Sequence, residues 1–152
     1  MRESLKFYID GQWVSPAVMK QLDVENPATE QVCGKIALGS AADVDIAVQA
    51  ARRAFTTWSD TNASDRIEIL QNILAEYQTR TTDLASALTE EMGAPSSLAN
   101  GFQVGLGAGH LSTAIEVLQS FRFEEQRGAT MIVKEPIGVC ALITPWNWPL
   151  NQ

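Results

Sequence analysis

Residues Glu135–Gln152 read EPIGVCALITPWNWPLNQ. From Val139 to Thr144 the run is small, aliphatic and β-branched, and Gly138 and Pro145 bound it, which suits a buried strand. Pro145-Trp146 then makes a tight turn, Asn147 stands where a helix would begin, and Pro149 fits a first helical turn. A strand that runs through a turn towards a helix is the repeating unit of an α/β sheet, and such sheets bind ligands beyond the carboxyl ends of their strands. Asn147 has two readings at this point. It is an N-cap whose side-chain oxygen accepts a backbone N–H, or its carboxamide N–H₂ donates to an oxyanion developing on a substrate carbonyl.

Working back towards the N-terminus, Thr130–Lys134 is a second β-branched and apolar run, separated from the first by Glu135-Pro136. The polar stretch RFEEQRG before it reads as a turn. The middle of the chain is helical. Ser40 with Asp43 three residues on is close to a capping box, and Val44, Ala47, Val48, Ala51, Phe55 and Trp58 recur at helical spacing. Asn62 or Ser64 caps a second helix with Ile67, Leu70, Leu74 and Tyr77 on one face. A third, about 83–92, ends at Gly93 with Pro95 beyond it. A fourth runs from near Ser96 to Phe121 despite its glycines. At the N-terminus, two short apolar-aromatic runs flank Asp10-Gly11, a hairpin signal, and Asn26–Thr29 forms a turn ahead of a half-buried strand at Gln31–Ile36.

Composition narrows the class. The 152 residues are 45% hydrophobic and 19% charged, as in a globular domain. Eleven Lys and Arg against 18 Asp and Glu give a net charge of -7, with no basic cluster to hold a phosphate backbone, so nucleic acid is not an expected partner. No apolar h-region follows the N-terminus and no run reaches membrane-spanning length, so the expectation is a cytoplasmic protein with no membrane association. Cys33 and Cys140 lie far apart without metal-ligand spacing. Both are expected as reduced, buried strand residues, small core groups rather than nucleophiles, and no metal site is expected.

The glycine-rich VGLGAGH, Val104–His110, lacks the spacing and the preceding strand of a dinucleotide-binding loop. Small residues that let two helices approach closely explain it better. His110, the sole histidine, has no acidic or cysteine neighbour to complete a ligand set and reads as a capping or packing residue.

The closing motif nevertheless resembles a signature of the NAD(P)-dependent aldehyde dehydrogenase superfamily, in which E-P-x-G-V leads through the first cofactor-domain strand to P-W-N-x-P. Upstream, YIDGQWV, NPATEQVCGKI, the helix ending in Trp58 and TEEMGAP follow the family's order and approximate spacing. The resemblance covers essentially the whole chain but only about the first third of such an enzyme. It implies an α/β fold comprising an N-terminal β-hairpin region (1–39), a helical region (40–125), a strand of the oligomerisation arm (126–138), and the first strand and turn of an incomplete, Rossmann-like cofactor-binding domain (139–152).

By the same resemblance, the complete enzyme oxidises an aldehyde to a carboxylic acid with NAD or NADP, using a cysteine nucleophile, a glutamate base and an Asn oxyanion donor. Asn147 matches that donor. Ile143, Thr144, Pro145 and Trp146, with Asn147, match the segment lining the cofactor cleft. Val24, Glu25 and Glu91 lie near positions where some members hold a monovalent cation. Ala94 stands where many members have Lys. The nucleophile and base of the family would lie beyond Gln152, so the 152-residue chain alone is expected to be a truncated, inactive piece, and the parent a homo-oligomer, dimer or tetramer. The alternative from another class is a non-catalytic helical interaction module that pairs through its β tail.

Overall fold

The computed structural model describes residues 2–152 and contains both helices and strands. Asp10 and Gly11 both take positive φ (54° and 76°), as a tight hairpin turn requires, and they join β2 (Phe7–Ile9) to the antiparallel β3 (Gln12–Val14). A separate sheet has the order β1 (Arg2–Ser4), β5 (Gln31–Ala37), β4 (Gln21–Asn26), with β1 parallel and β4 antiparallel to β5. The turn before β5 is the expected one. Asn26 accepts the Ala28 N–H on its side chain and the Glu30 N–H on its carbonyl, at 2.9 and 2.8 Å.

Two of these strands go beyond the sequence reading. β1 carries no apolar pattern because backbone pairing with β5 holds it, Arg2 standing opposite Gly34. β4 alternates only weakly and is exposed along most of its length.

Among the described residues, five α-helices make the body of the chain. α1 (Ala41–Trp58) begins at Ser40, and the Asp43 carboxylate reaches back to accept the Ser40 backbone N–H at 2.7 Å and its hydroxyl at 2.6 Å. The same carboxylate accepts the Ala17 N–H at 2.8 Å, which ties the segment after β3 to the start of the helix. α2 (Ala63–Thr79) is capped by Asn62, whose side chain accepts the Asp65 N–H. α3 (Thr81–Ala87) runs on through a π-helical turn, Leu88–Met92, and stops where Gly93 adopts φ 77°. The short α4 (Ser96–Leu98) passes through a second π turn, Ala99–Gln103, into α5 (Val104–Ser120).

The core is small and lies where these helices meet. Ala85, Leu88, Ala94, Ala99 and Val104 are buried there, with Tyr77, Leu84, Met92 and Leu150 packed around them. Of the glycines in VGLGAGH, Gly107 serves the expected close helix packing, whereas Gly105 and Gly109 face open space. A Cβ on Gly107 would overlap the Tyr77 hydroxyl and stand 2.9 Å from its ring, so α2 and α5 approach as they do only because that position is bare. Tyr77 donates its hydroxyl to the Val104 carbonyl at 2.8 Å, and burial raises its pKa.

After α5 the structure departs from expectation in three places. RFEEQRG is not a turn: β6 (Glu124–Arg127) pairs antiparallel with β7 (Thr130–Val133) across Gly128 at φ 60°. Its polar residues hide the strand pattern because this two-stranded ribbon leaves both faces largely open. Val139–Thr144 forms no strand ladder, since no neighbouring strand lies beside it among the described residues. Consequently Cys140 is exposed rather than buried, and Leu142 and Ile143 are 88% and 94% exposed. Cys33 is half-buried in β5, where its thiol points at the Val24 carbonyl at 3.3 Å. Both cysteines are free.

The Asp43 junction gives a pH-dependent prediction. Hydrogen bonds from the Ser40 hydroxyl, then from the Ala17 and Ser40 N–H groups, hold the carboxyl below the usual carboxylate range. A depressed folded-state pKa contributes stability that is fully present above the unfolded value, about 3.9, and is lost as pH falls through the folded one. Asp43→Asn therefore lowers Tm at pH 7, and the gap from the native chain narrows in acid, where native Asp43 itself takes up a proton. A gap that stays constant between neutral and strongly acid pH contradicts this assignment.

Candidate functional site

The turn that carries Asn147 is fastened on its C-terminal side. Trp148 stacks edge-on against Phe102 with ring centroids 5.7 Å apart. Leu150 packs into the helical core, and its carbonyl lies 3.1 Å from where a Gly107 Cβ would be. Asn151 accepts on Oδ1 from His110 Nε2 at 2.8 Å, and its N–H closes a turn onto the Trp148 carbonyl at 3.1 Å. The residues after Asn147 form this turn and not a helix, so the expected helix start is absent among the described residues. In this turn it is the Asn151 carboxamide that is engaged, while Asn147 stands exposed in the bend.

The residues on the other side of Asn147 are open to solvent. Ile143 is 94% and Trp146 82% exposed, and Thr144 and Pro145 are exposed beside them. Ile143–Asn147 is thus one continuous, largely apolar wall with an uncommitted carboxamide at its end. Further back, Val139, Cys140 and Ala141 line a groove of about 440 Å³ against Val44, Val48 and Ala51 of α1, so this segment lies along a helix as a sheet strand of an α/β unit would.

Trp146, Pro149 and Leu150 also border a cleft of about 540 Å³, whose far side is made by Val24, Glu25 and Glu91. Glu91 accepts from Arg2 Nη1 at 3.0 Å, and Glu90 stands 3.3 Å from Arg2 Nη2. The hydrogen bond that Arg2 donates to Glu91 raises the Arg2 pKa; burial opposes the rise, and the negative charges of Glu90 and Glu91 add to it. Among the described residues no cluster of three or more His, Cys, Asp or Glu side chains is placed to hold a metal ion.

Sequence reasoning finds the Asn147 turn but misses what holds it. The partners of Trp148, Leu150 and Asn151 lie 40 or more positions earlier, on the π turn before α5 and on α5 itself, beyond any local spacing rule. The one available signal was the lone histidine in a glycine-rich helix, and it pointed to packing without naming a partner.

Comparison with known proteins follows the same segment. Over its whole length the chain is 50% identical to a 3-succinoylsemialdehyde-pyridine dehydrogenase of a Pseudomonas species and spans 32% of that protein. It superimposes on an aldehyde dehydrogenase from Bartonella henselae with a TM-score of 0.96 at 39% identity, covering 100% of this chain and 33% of that one. With aldehyde dehydrogenase C of Pseudomonas syringae, solved with NAD+ and octanal, the TM-score is 0.95 at 49% identity, covering 97% of this chain and 30% of that one. The chain therefore spans about a third of the length of the relatives it matches. The profile of the aldehyde dehydrogenase family matches residues 13–152, a stretch that begins within β3 and holds all five helices described above and the Asn147 turn, and the chain belongs to that family.

Proposed function

We propose that this chain is the N-terminal part of an NAD(P)+-dependent aldehyde dehydrogenase and that Asn147 is the oxyanion donor of its active site. One observation carries the reading: in a chain of this family, Asn147 presents an exposed carboxamide from a turn that its C-terminal neighbours anchor to the helical core. A semialdehyde in the name of one relative, and octanal with NAD+ in the structure of another, support an aldehyde as substrate and a nicotinamide as oxidant.

The overall change is aldehyde plus water plus NAD(P)+ to carboxylic acid plus NAD(P)H plus a proton. The chemistry a nicotinamide cofactor would supply, when bound, is acceptance of the hydride from the aldehyde carbon. Before hydride can leave, that carbon must become tetrahedral and its oxygen must carry negative charge. The Asn147 N–H₂ group donates a hydrogen bond to that oxygen, and a donor fixed in advance needs no reorganisation as the charge appears. The residues present also fit a nicotinamide cofactor. Ile143–Trp146 offer an open wall of aliphatic and aromatic surface at the carboxyl end of the strand-like segment, the position at which open α/β sheets receive such ligands. Their contribution is shape and backbone polar groups, with no proton moved.

Two further features complete the proposal. The β6–β7 ribbon has free edges and exposes Met131 and Val133, 52% each, which suits pairing with another copy in a homo-oligomer. Among the described residues no helix is long and apolar enough to cross a membrane, and a cytoplasmic location is part of this proposal. A purely structural assembly module is not favoured, because the family match continues through the Asn147 turn.

The test is aldehyde-dependent production of NADH or NADPH by the full-length protein, followed by absorbance over a panel of aliphatic and aromatic aldehydes. Reduction with at least one aldehyde is the expected outcome. None across the panel with either cofactor overturns the proposal.

A further inference from the structure

Asn147 can act as proposed only if its carboxamide is held in one place, and the structure shows an asymmetric hold. On its N-terminal side the chain is exposed. On its C-terminal side three of the next four residues touch the segment that leads into and along α5: Trp148 meets Phe102, the Leu150 carbonyl approaches Gly107, and Asn151 meets His110. A carboxamide oxygen only accepts, so the His110 Nε2 in this pair carries the hydrogen. Gly107 and His110 are three residues apart and share one face of α5. The bare position at Gly107 lets the turn come close, and His110 supplies the one side-chain hydrogen bond, among the described residues, that fixes it there.

We infer that His110 is a positioning residue for the reaction: through Asn151 it holds the Trp148–Asn151 turn on α5 and so sets where the Asn147 carboxamide points. This rests on the reading of Asn147 as the oxyanion donor. His110 touches neither substrate nor cofactor in this scheme. Its effect passes through Asn147, and catalysis of this kind is sensitive to displacements of about 1 Å.

The experiment uses the full-length enzyme and five variants: His110→Ala, His110→Gln, Asn151→Ala, Asn147→Ala, and His110→Ala combined with Asn147→Ala. Gln places an amide N–H close to where His holds Nε2, so it can restore the bond. His110→Ala and Asn151→Ala each lower kcat by about tenfold while the NAD+ dissociation constant stays within about twofold. His110→Gln recovers most of the loss. In the Asn147→Ala background, His110→Ala changes kcat by less than about twofold, because the group it positions is already gone.

A merely structural role for His110 would lower activity by the same factor in both backgrounds, and that result overturns the inference. So does an unchanged kcat in His110→Ala when Asn147→Ala is crippled, which leaves the Asn147 reading standing. An unchanged kcat in Asn147→Ala removes the Asn147 reading and the positioning role with it.

Discussion

In the full-length enzyme, Asn147→Ala lowers turnover with aldehyde by about 10²- to 10³-fold, the loss that follows removal of one oxyanion donor. The reason is the timing of the interaction. An aldehyde oxygen in the ground state carries only partial charge, whereas the tetrahedral oxygen carries a full one, so the Asn147 hydrogen bond strengthens along the reaction and its loss appears in kcat. NAD+ binding should change little, since the wall proposed to face the cofactor owes its surface to Ile143–Trp146 and not to the carboxamide. The competing N-cap reading predicts a different phenotype. Losing a cap costs about 1 kcal/mol of stability and leaves kcat alone. Thermal melting and steady-state kinetics on one purified variant therefore separate the two, and unchanged turnover with a lowered Tm returns Asn147 to a structural role.

The isolated 152-residue chain should show no aldehyde oxidation and no saturable NAD+ binding up to about 1 mM. An oxyanion donor needs a nucleophile whose adduct forms within hydrogen-bond distance of it. Neither cysteine meets that condition. Cys33 is half-buried in β5 with its thiol on the Val24 carbonyl. Cys140 is exposed, which corrects the expectation of a buried core thiol, yet its nearest polar partner is the Gly138 carbonyl at 3.8 Å. Its segment lies in the groove against Val44, Val48 and Ala51 of α1, seven positions of non-helical backbone before Asn147. Cofactor affinity fails for its own reason, since Ile143 and Trp146 form an open wall, and binding energy comes from concave sites that remove most of a ligand's surface from water. Aldehyde-dependent NADH formation by the isolated chain, abolished by Cys140→Ala, would contradict this and make Cys140 a nucleophile. Calorimetric titration with NAD+ checks the second half.

How far the sequence could be read depended on whether the structure was made locally. Asp10-Gly11, Ser40 with Asp43, Asn62 and Gly93 each act on backbone within a few residues, and each marks the boundary it signals. β1 was not legible because its three residues, Arg2–Ser4, bury nothing and exist as a strand only through β5, some thirty positions away. β6 was hidden for the related reason that a two-sided exposed ribbon needs no apolar alternation. Val139–Thr144 was read correctly as apolar, but an apolar pattern states what a segment would bury, not what is present to cover it. At the site, the motif around Asn147 was visible and its support was not. The His110–Asn151 bond spans 41 positions and belongs to packing rather than to spacing.

The central claim is that Asn147 helps an aldehyde carbon surrender its hydride to a nicotinamide, and a single-turnover reaction with isotopic label tests it most directly. Full-length enzyme is mixed with NAD+ and an aldehyde carrying deuterium on the carbonyl carbon, and the reduced cofactor is analysed by mass. Deuterium is expected in the reduced nicotinamide, formed about 10²- to 10³-fold more slowly by the Asn147→Ala enzyme than by the native one. Label lost to water, or transfer at the same rate in both enzymes, would contradict it.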